Sequence, residues 1–477
     1  MQERAFIYID GQWVASAGRE SIPVINPYTE VVVGHVPRGH AADADRAAQA
    51  AARAFPVWAA TPPQERAAVL ERVRDGLKAR ADELGVLITQ ELGMPLKLTQ
   101  RIQVGSPIAI FGLYARMLAQ FSFETNVAHS LIIKEPVGVV ACVTPWNYPL
   151  HQIAAKVAAA LAAGCTVVLK PSELTPLNAF VLADVMHEAG VPAGVFNLVS
   201  GPGAEVAEPL ARHPDVDMLS FTGSTRVGRH LGALASGHLK RLSLELGGKS
   251  ASLVLADADL EQAIRGTLNQ CFLNSGQTCS ALTRLLVPRS SKARAAELAV
   301  SMASRYVPGD PMDERTRIGP LVSDVQRRRV LDYVARGLEQ GARLLCGGPQ
   351  PSLAMPHGYF VLPTILGDVQ PHHVVAQEEI FGPVLSILGY DDEEHAIRVA
   401  NDSPYGLSGA IWSADTEHAV RVARRIRTGQ LDINGAAFNI LAPFGGFKQS
   451  GIGRELGQYG LDEFLELKSL QLPTVSA

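Results

Sequence analysis

Residues 137–170 read VGVVACVTPWNYPLHQIAAKVAAALAAGCTVVLK. Two short apolar runs, VGVVACV and CTVVLK, flank the Ala-rich LHQIAAKVAAALAAG. That is the pattern of a strand, a helix and a second strand. The alternation continues through TPLNAFVLADVMHEAG (175–190), GVFNLVS (194–200), GAEVAEPLARH (203–213) and MLSFTG (218–223). Consecutive strand–helix–strand units imply a parallel sheet with right-handed crossovers, a doubly wound α/β domain. Ligands in such sheets bind at the carboxyl ends of the strands.

Towards the N-terminus, IYIDGQWV (7–14) and ESIPVINPYTEVVVGHV (20–36) read as short strands broken by turns. AADADRAAQAAARAF (41–55) reads as helix. In TPPQERAAVLERVRDGLKAR (61–80), Thr61 is the expected N-cap, Pro62 the first helical residue and Gln64 the partner in a capping box. Leu70, Val73 and Leu77 recur at helical spacing. Towards the C-terminus a second α/β unit runs from LELGGKSASLVLADADLEQA (244–263) to about Gly446. FSFETN (121–126) and HSLIIKEP (129–136) resemble a hairpin, and FLELKSLQLP (464–473) a terminal strand. Such pieces are marginal alone, so they are expected to form a small protruding sheet able to pair with another subunit.

The chain has 477 residues, too many for one ordinary core. A formal charge of −4 without long single-sign runs gives no electrostatic case for nucleic acid or an anionic membrane. No apolar run reaches the length of a membrane span, and MQERAFIYIDGQW does not read as an export signal. The five cysteines are scattered and contain no CxxC pair, which argues against a zinc ribbon and fits a reducing cytoplasm. No metal is expected.

Several strand ends carry chemistry. TPWNYP (144–149) holds Asn147 between two prolines, a stiff mount for an amide donor to a developing oxyanion. VVLKPSE (167–173) places Lys170 and Glu173 where an adenosine ribose would lie; a carboxylate there accepts from ribose hydroxyls and repels a 2′-phosphate. FTGSTRVG (221–228) offers Ser224 as a helix cap and Gly223 for close approach of a phosphate. SGPGAEVAEPL (200–210) matches a dinucleotide fingerprint poorly and reads better as a tight turn. LELGGKS (244–250) ends a strand on Glu245, a candidate base. NSGQTCSALTR (274–284) presents Cys279 from a turn-prone segment. Each residue has an ordinary structural reading. Together they make up a thiol, an amide donor, a carboxylate and a dinucleotide site, the inventory for covalent oxidation of a carbonyl.

The ordered motifs PWNYP, LKPSE, FTGSTRVG, LELGGKS, NSGQTCS, QEEIFGPV and PFGGFKQSGIGRELG resemble the aldehyde dehydrogenase superfamily over essentially the whole chain. The resemblance implies a Rossmann-like cofactor domain (1–117 and 138–247), a doubly wound catalytic domain (248–446) and a small β oligomerisation domain (118–137 and 447–477). It implies a homo-oligomer, either a dimer or a dimer of dimers. It makes Cys279 the nucleophile, Asn147 the oxyanion donor, Glu245 the base, and Lys156 with Glu455 a proton-relaying pair. Trp146, Lys170, Ser172, Glu173, Gly223, Ser224, Glu379 and Phe381 become cofactor contacts. The implied cofactor is NAD, with NADP left open. By family position, Tyr148, Gln152, Ala155, Leu273, Phe438 and Phe444 line a substrate tunnel, which favours an apolar or aromatic aldehyde. Alternatives are a carboxylated semialdehyde, with the Arg101 and Gln103 region undecided, and an acylating enzyme that uses coenzyme A. A non-catalytic binding protein would not need thiol, amide and base together, and a nucleotide-free thiol hydrolase would not need the Lys170, Glu173, Ser224 and Glu379 set.

Overall fold

The structure is a computed structural model and describes residues 2–350, 355 and 357–473. Its largest sheet has eight strands in the order Gly451–Ile452, Arg241–Glu245, Met218–Thr222, Val139–Val143, Thr166–Lys170, Phe196–Leu198, Ile7–Ile9 and Gln12–Val14. The five from Arg241–Glu245 to Phe196–Leu198 are parallel, and antiparallel strands close both edges. Their apolar runs are explained by burial on both faces. Val139, Ala141 and Val143 point into one core, and Val140 and Cys142 into the other. Val168 likewise opposes Val167 and Leu169.

From Val139–Val143 the chain winds outward through Thr166–Lys170 and Phe196–Leu198, then returns to the other side for Met218–Thr222 and Arg241–Glu245. The winding therefore reverses between Val139–Val143 and Met218–Thr222. Diverging crossovers leave a crevice at such a point, beyond the carboxyl ends. The helix Pro149–Ala163 starts on proline, an N–H that needs no partner, and stops on Gly164 at φ 100°.

The second sheet has seven strands in the order Arg343–Cys346, Thr364–Gly367, Val384–Tyr390, Arg284–Pro288, Ala251–Val254, Gly409–Trp412 and Asp432–Ile433. All its pairings are parallel except that of Arg343–Cys346. It too buries both faces: Leu286 and Leu388 lie on one, Leu285 and Ile387 on the other. In a third sheet, Leu465–Gln471 and Glu124–Val127 flank Ser130–Pro136. A further small sheet joins Gln2–Glu3, Val32–Pro37 and Ser21–Ile25.

Two expectations need correction. The segment 447–477 does not go to the small sheet as a unit, because Gly451–Ile452 pairs with Leu244 and Glu245 at the edge of the first sheet. Thr61 does not cap a helix. The helix is Pro63–Ala79 with Pro62 at its N-cap and no side-chain cap, so the expected box with Gln64 does not form. Thr61 Oγ1 instead donates to Val57 O at 2.9 Å, satisfying a carbonyl left over at the end of the preceding helix.

The left-handed stop at Gly164 gives a direct test. Gly164→Ala is expected to lower stability by about 1–2 kcal/mol, because a Cβ there strains the backbone. Chemical denaturation should show a lower midpoint at unchanged slope; an unchanged midpoint would contradict the left-handed stop.

Candidate active site

A cleft of about 100 Å³ opens at the reversal point. The first sheet supplies Asn147 from the loop after Val139–Val143, Gly223 and Ser224 from the end of Met218–Thr222, and Glu245 from the end of its own strand. The second unit supplies Cys279, Glu379 and Phe381. A wider cavity of about 1040 Å³ lies elsewhere, lined by Leu273, Arg101, Lys97 and Arg305. Cys279, Asn147 and Glu245 do not line it; all three line the smaller cleft.

The cysteine loop has an unusual backbone. Asn274, Ser275 and Gly276 are all left-handed, with φ of 51°, 57° and 75°. A Cβ at residue 276 would lie 2.1 Å from Gly382 O, so glycine is required there. Strained backbone of this kind persists only where its surroundings fix it. Ser275 Oγ donates to Gly319 O at 2.8 Å. Gln277 Oε1 accepts from Val322 N at 2.9 Å, and its Nε2 donates to Asn274 O at 3.2 Å. The loop then delivers Cys279 half-buried in the cleft.

Asn147 is held from three sides. Its carbonyl accepts from Gln103 Nε2 at 3.0 Å and from Asn274 Nδ2 at 2.9 Å. Its own Nδ2 donates to Gln277 O at 3.0 Å. An amide nitrogen has two hydrogens, and this bond uses one. The amide is thus oriented before any ligand arrives.

Glu245 is buried, and neither carboxylate oxygen has a hydrogen-bond partner among the described residues. Burial, and then the Glu455 carboxylate, push its pKa well above the usual range; Lys156 and Arg454 oppose the shift. Room for its side chain comes from Gly445, where a Cβ would sit 2.6 Å from Glu245 Oε1. Lys156, fully buried, pairs with Glu455 and donates to Ser220 Oγ at 3.2 Å. Burial also pushes the Cys279 thiol up, reinforced by Glu379 and Glu245 and opposed by the Ser280 N–H. Without ligand the cleft therefore favours a protonated thiol beside a weakly acidic carboxyl group.

Glu379 Oε1 accepts from Gly248 N at 3.1 Å, and burial raises its carboxyl to about 7. Phe381 is left-handed at φ 65° and meets Trp146 edge-on, centroids 5.3 Å apart. Ser224 caps the helix Thr225–Ser236, accepting from Val227 N. A Cβ at Gly223 would strike the Phe221 ring at 2.5 Å, a local reason for glycine beside the one expected. Lys170 Nζ lies 3.2 Å from Glu173 Oε2 at a strand end. Ser172 Oγ accepts from Leu174 N and closes that turn.

The tunnel residues are less unified. Tyr148, Gln152 and Ala155 are buried on or just before the helix Pro149–Ala163, but only Gln152 lines the cleft with Cys279. Leu273 faces the wider cavity. Phe438 is half exposed and packs edge-on against Phe444, centroids 6.0 Å apart. Arg101 is exposed and faces the wider cavity.

Sequence reasoning missed Gln326 and Arg329, and it named Gln103 only in a region left undecided, not as a partner of Asn147. Gln326 and Arg329 line the cleft, and Arg329 donates to Glu379 O at 2.9 Å. They lie on the helix Asp324–Glu339, whose VQRRRV reads as a solvated face, so no local signal marks them.

The family model described as the aldehyde dehydrogenase family matches residues 13–470. A 3-succinoylsemialdehyde-pyridine dehydrogenase from Pseudomonas sp is 47% identical over 471 residues, covering 98% of this chain and 99% of that protein. A crystal structure of a cysteine-to-alanine mutant of aldehyde dehydrogenase C from Pseudomonas syringae, in complex with NAD+ and octanal, superposes with a TM-score of 0.98. It is 44% identical and covers 99% of this chain and 98% of that one. A Mycobacterium tuberculosis aldehyde dehydrogenase complexed with NAD+ superposes with a TM-score of 0.97 at 41% identity, covering 100% of this chain and 99% of that one. With this site geometry and full-length likeness, the chain belongs to the aldehyde dehydrogenase family.

Proposed function

We propose that the protein oxidises an aldehyde to its carboxylic acid with NAD, through an acyl group carried on Cys279. The observation that carries this reading is the meeting of the Cys279 thiol, the oriented Asn147 amide and the unpartnered Glu245 carboxyl in one cleft. The residues present fit a dinucleotide. Ser224 stands at the start of a helix, where a pyrophosphate is favoured. Lys170 and Glu173 pair at a strand end, and Glu379 and Phe381 share the cleft with Cys279. NAD+ bound there accepts a hydride.

Cys279 passes its proton to solvent water and its sulfur bonds to the aldehyde carbon. The carbonyl oxygen becomes an oxyanion that the free Asn147 N–H stabilises. A hydride leaves that carbon, and a thioester remains on Cys279. Glu245 takes a proton from water, and the resulting hydroxide attacks the thioester carbon. The carbon–sulfur bond breaks, releasing the acid and the Cys279 thiolate. The raised pKa of Glu245 suits it to accept that proton. The buried Lys156–Glu455 pair serves as the route for the proton onward.

Glu245 also favours hydrolysis over transfer to coenzyme A. The Pseudomonas sp relative is named for a pyridine semialdehyde, and the Pseudomonas syringae neighbour holds octanal. An apolar or aromatic aldehyde is consistent with both, and Arg101 lies outside the cleft where it would bind a substrate carboxylate. For the domains we keep the bounds 1–117 with 138–247, 248–446, and 118–137 with 447–477, moving Gly451–Ile452 to the cofactor unit because it pairs with Leu244 and Glu245. The three-stranded sheet leaves Leu467 71% exposed, which supports its use in homo-oligomer assembly. The five cysteines are unpaired, in keeping with a reducing cytoplasm. No helix of the described residues is long and apolar enough to cross a membrane.

Asn147→Ala should lower kcat by about 10²–10³ while NAD still binds; an unchanged kcat would remove Asn147 from the mechanism. Glu245→Gln should lower turnover by roughly 10²–10⁴ yet leave a first-turnover burst of NADH. Because the base must be ionised and its pKa is raised, wild-type kcat should fall on acidification at a pH well above the usual carboxylate range. That limb should vanish in Glu245→Gln, and a limb that persists would assign the base elsewhere. Glu173→Gln should narrow a preference for NAD over NADP, measured as a ratio of kcat/KM; a wild-type preference for NADP would contradict the ribose assignment.

A further inference from the structure

Tyr114 lies on the helix Gly105–Leu118 and is fully buried, yet its hydroxyl has no hydrogen-bond partner among the described residues. A buried hydroxyl left in that state is costly, and phenylalanine would fill the same space without the cost. The chain nevertheless makes room for the oxygen. A Cβ at Gly460 would lie 2.8 Å from Tyr114 Oη, 2.9 Å from the Glu455 carbonyl carbon and 3.3 Å from Glu455 Cα, so the hydroxyl and Glu455 crowd the same point. Glu455 stands beside Glu245, whose pKa it helps to raise. Its backbone is fixed: its N–H donates to Phe444 O at 2.7 Å, and its carbonyl accepts from Phe444 N at 2.8 Å. Its carboxylate is held at Oε1, which pairs with the buried Lys156, and among the described residues nothing donates to Oε2. Burial, and then the Glu455 charge, push the Tyr114 pKa up. The phenol therefore stays neutral, an O–H donor beside a carboxylate with an oxygen to spare.

We propose that Tyr114 is a positioning residue for the hydrolytic step: its hydroxyl donates, through one bridging water, to the Glu455 carboxylate and fixes the plane in which that carboxylate meets Glu245. The proposal rests on the reading of Lys156 and Glu455 as the route for the proton that Glu245 takes from water. A bridge is the fitting link, because no direct bond joins the two groups and both are polar and enclosed. A carboxylate gripped at one oxygen swings about that bond, and a second hold locks it. Tyr114 does not line the cleft, so it touches neither aldehyde nor cofactor. It does not carry the proton onward either, since it ends in the apolar core with Phe111 and Leu461. Its effect is confined to hydrolysis and spares hydride transfer.

The test follows one turnover of the full chain with hexanal and NAD, reading acid by rapid quench and NADH by stopped flow. Tyr114→Phe removes a single oxygen. It should slow acid formation roughly tenfold, the scale of a lost hydrogen bond to a charged group, and leave NADH formation near wild type. Glu455→Gln should slow acid formation too, and adding Tyr114→Phe to it should have no further effect, because the two groups act as one unit. Unchanged NAD binding certifies the fold of each variant, and Tyr114→Met repeats the comparison with another filler of the space. Acid formation at the wild-type rate in folded Tyr114→Phe overturns the proposal. Equal slowing in both backgrounds also overturns it, by making the hydroxyl a scaffold contact, and so does a matching fall in NADH formation. If Glu455→Gln forms acid at the wild-type rate, the proton route itself is wrong and the Tyr114 assignment falls with it. Slow acid from Glu455→Gln with normal acid from Tyr114→Phe leaves the route standing and removes Tyr114 alone.

Discussion

The amide clamp at Asn147 is the interaction on which the site depends. Gln103 comes from the helical stretch Thr99–Val104, Asn147 from the end of a central strand, and Asn274 and Gln277 from the cysteine loop of the second unit. Four hydrogen bonds between 2.9 and 3.3 Å link Asn147 O, Asn147 Nδ2 and Asn274 Nδ2 to their partners. Each contributes about 0.5–1.5 kcal/mol net, a modest amount of stability. Their larger effect is geometric. The left-handed run Asn274–Gly276 would relax if unheld, and Cys279 would leave its register with Asn147.

The electrostatics follow from the same burial. Glu245, Glu379 and Cys279 face one cleft, and desolvation is the largest cause of each upward pKa shift. The resting chain therefore avoids several adjacent anions. A positive ring placed in the cleft would lower the cost of a thiolate. Binding and activation are thus coupled by charge.

Much of this was legible in the sequence, for physical reasons. Strands buried on both faces must be apolar throughout, so VGVVACV and CTVVLK declared the parallel sheet. Asn147, Lys170, Gly223 and Glu245 stand at strand ends, where the fold concentrates ligand contacts. Gln326, Arg329 and the hold of Gln103 on Asn147 were illegible because these roles come from tertiary approach. Gln103 sits in the π-helical stretch Thr99–Val104, and the other two on a helix whose charges look solvated. Gly451–Ile452 is too short a strand to carry a pattern of its own. Thr61 failed as a cap because a neighbouring carbonyl competed for its hydroxyl, a contest invisible to local propensity.

The account turns on a covalent bond between the substrate carbon and one sulfur. The most direct measurement is acid quenching of the enzyme during turnover with an aldehyde and NAD, followed by peptide mass spectrometry. The account predicts an acyl mass increment on the peptide containing Cys279, accumulating when the base is removed. The same increment on any other side chain, or full turnover with Cys279 unmodified throughout, would contradict it.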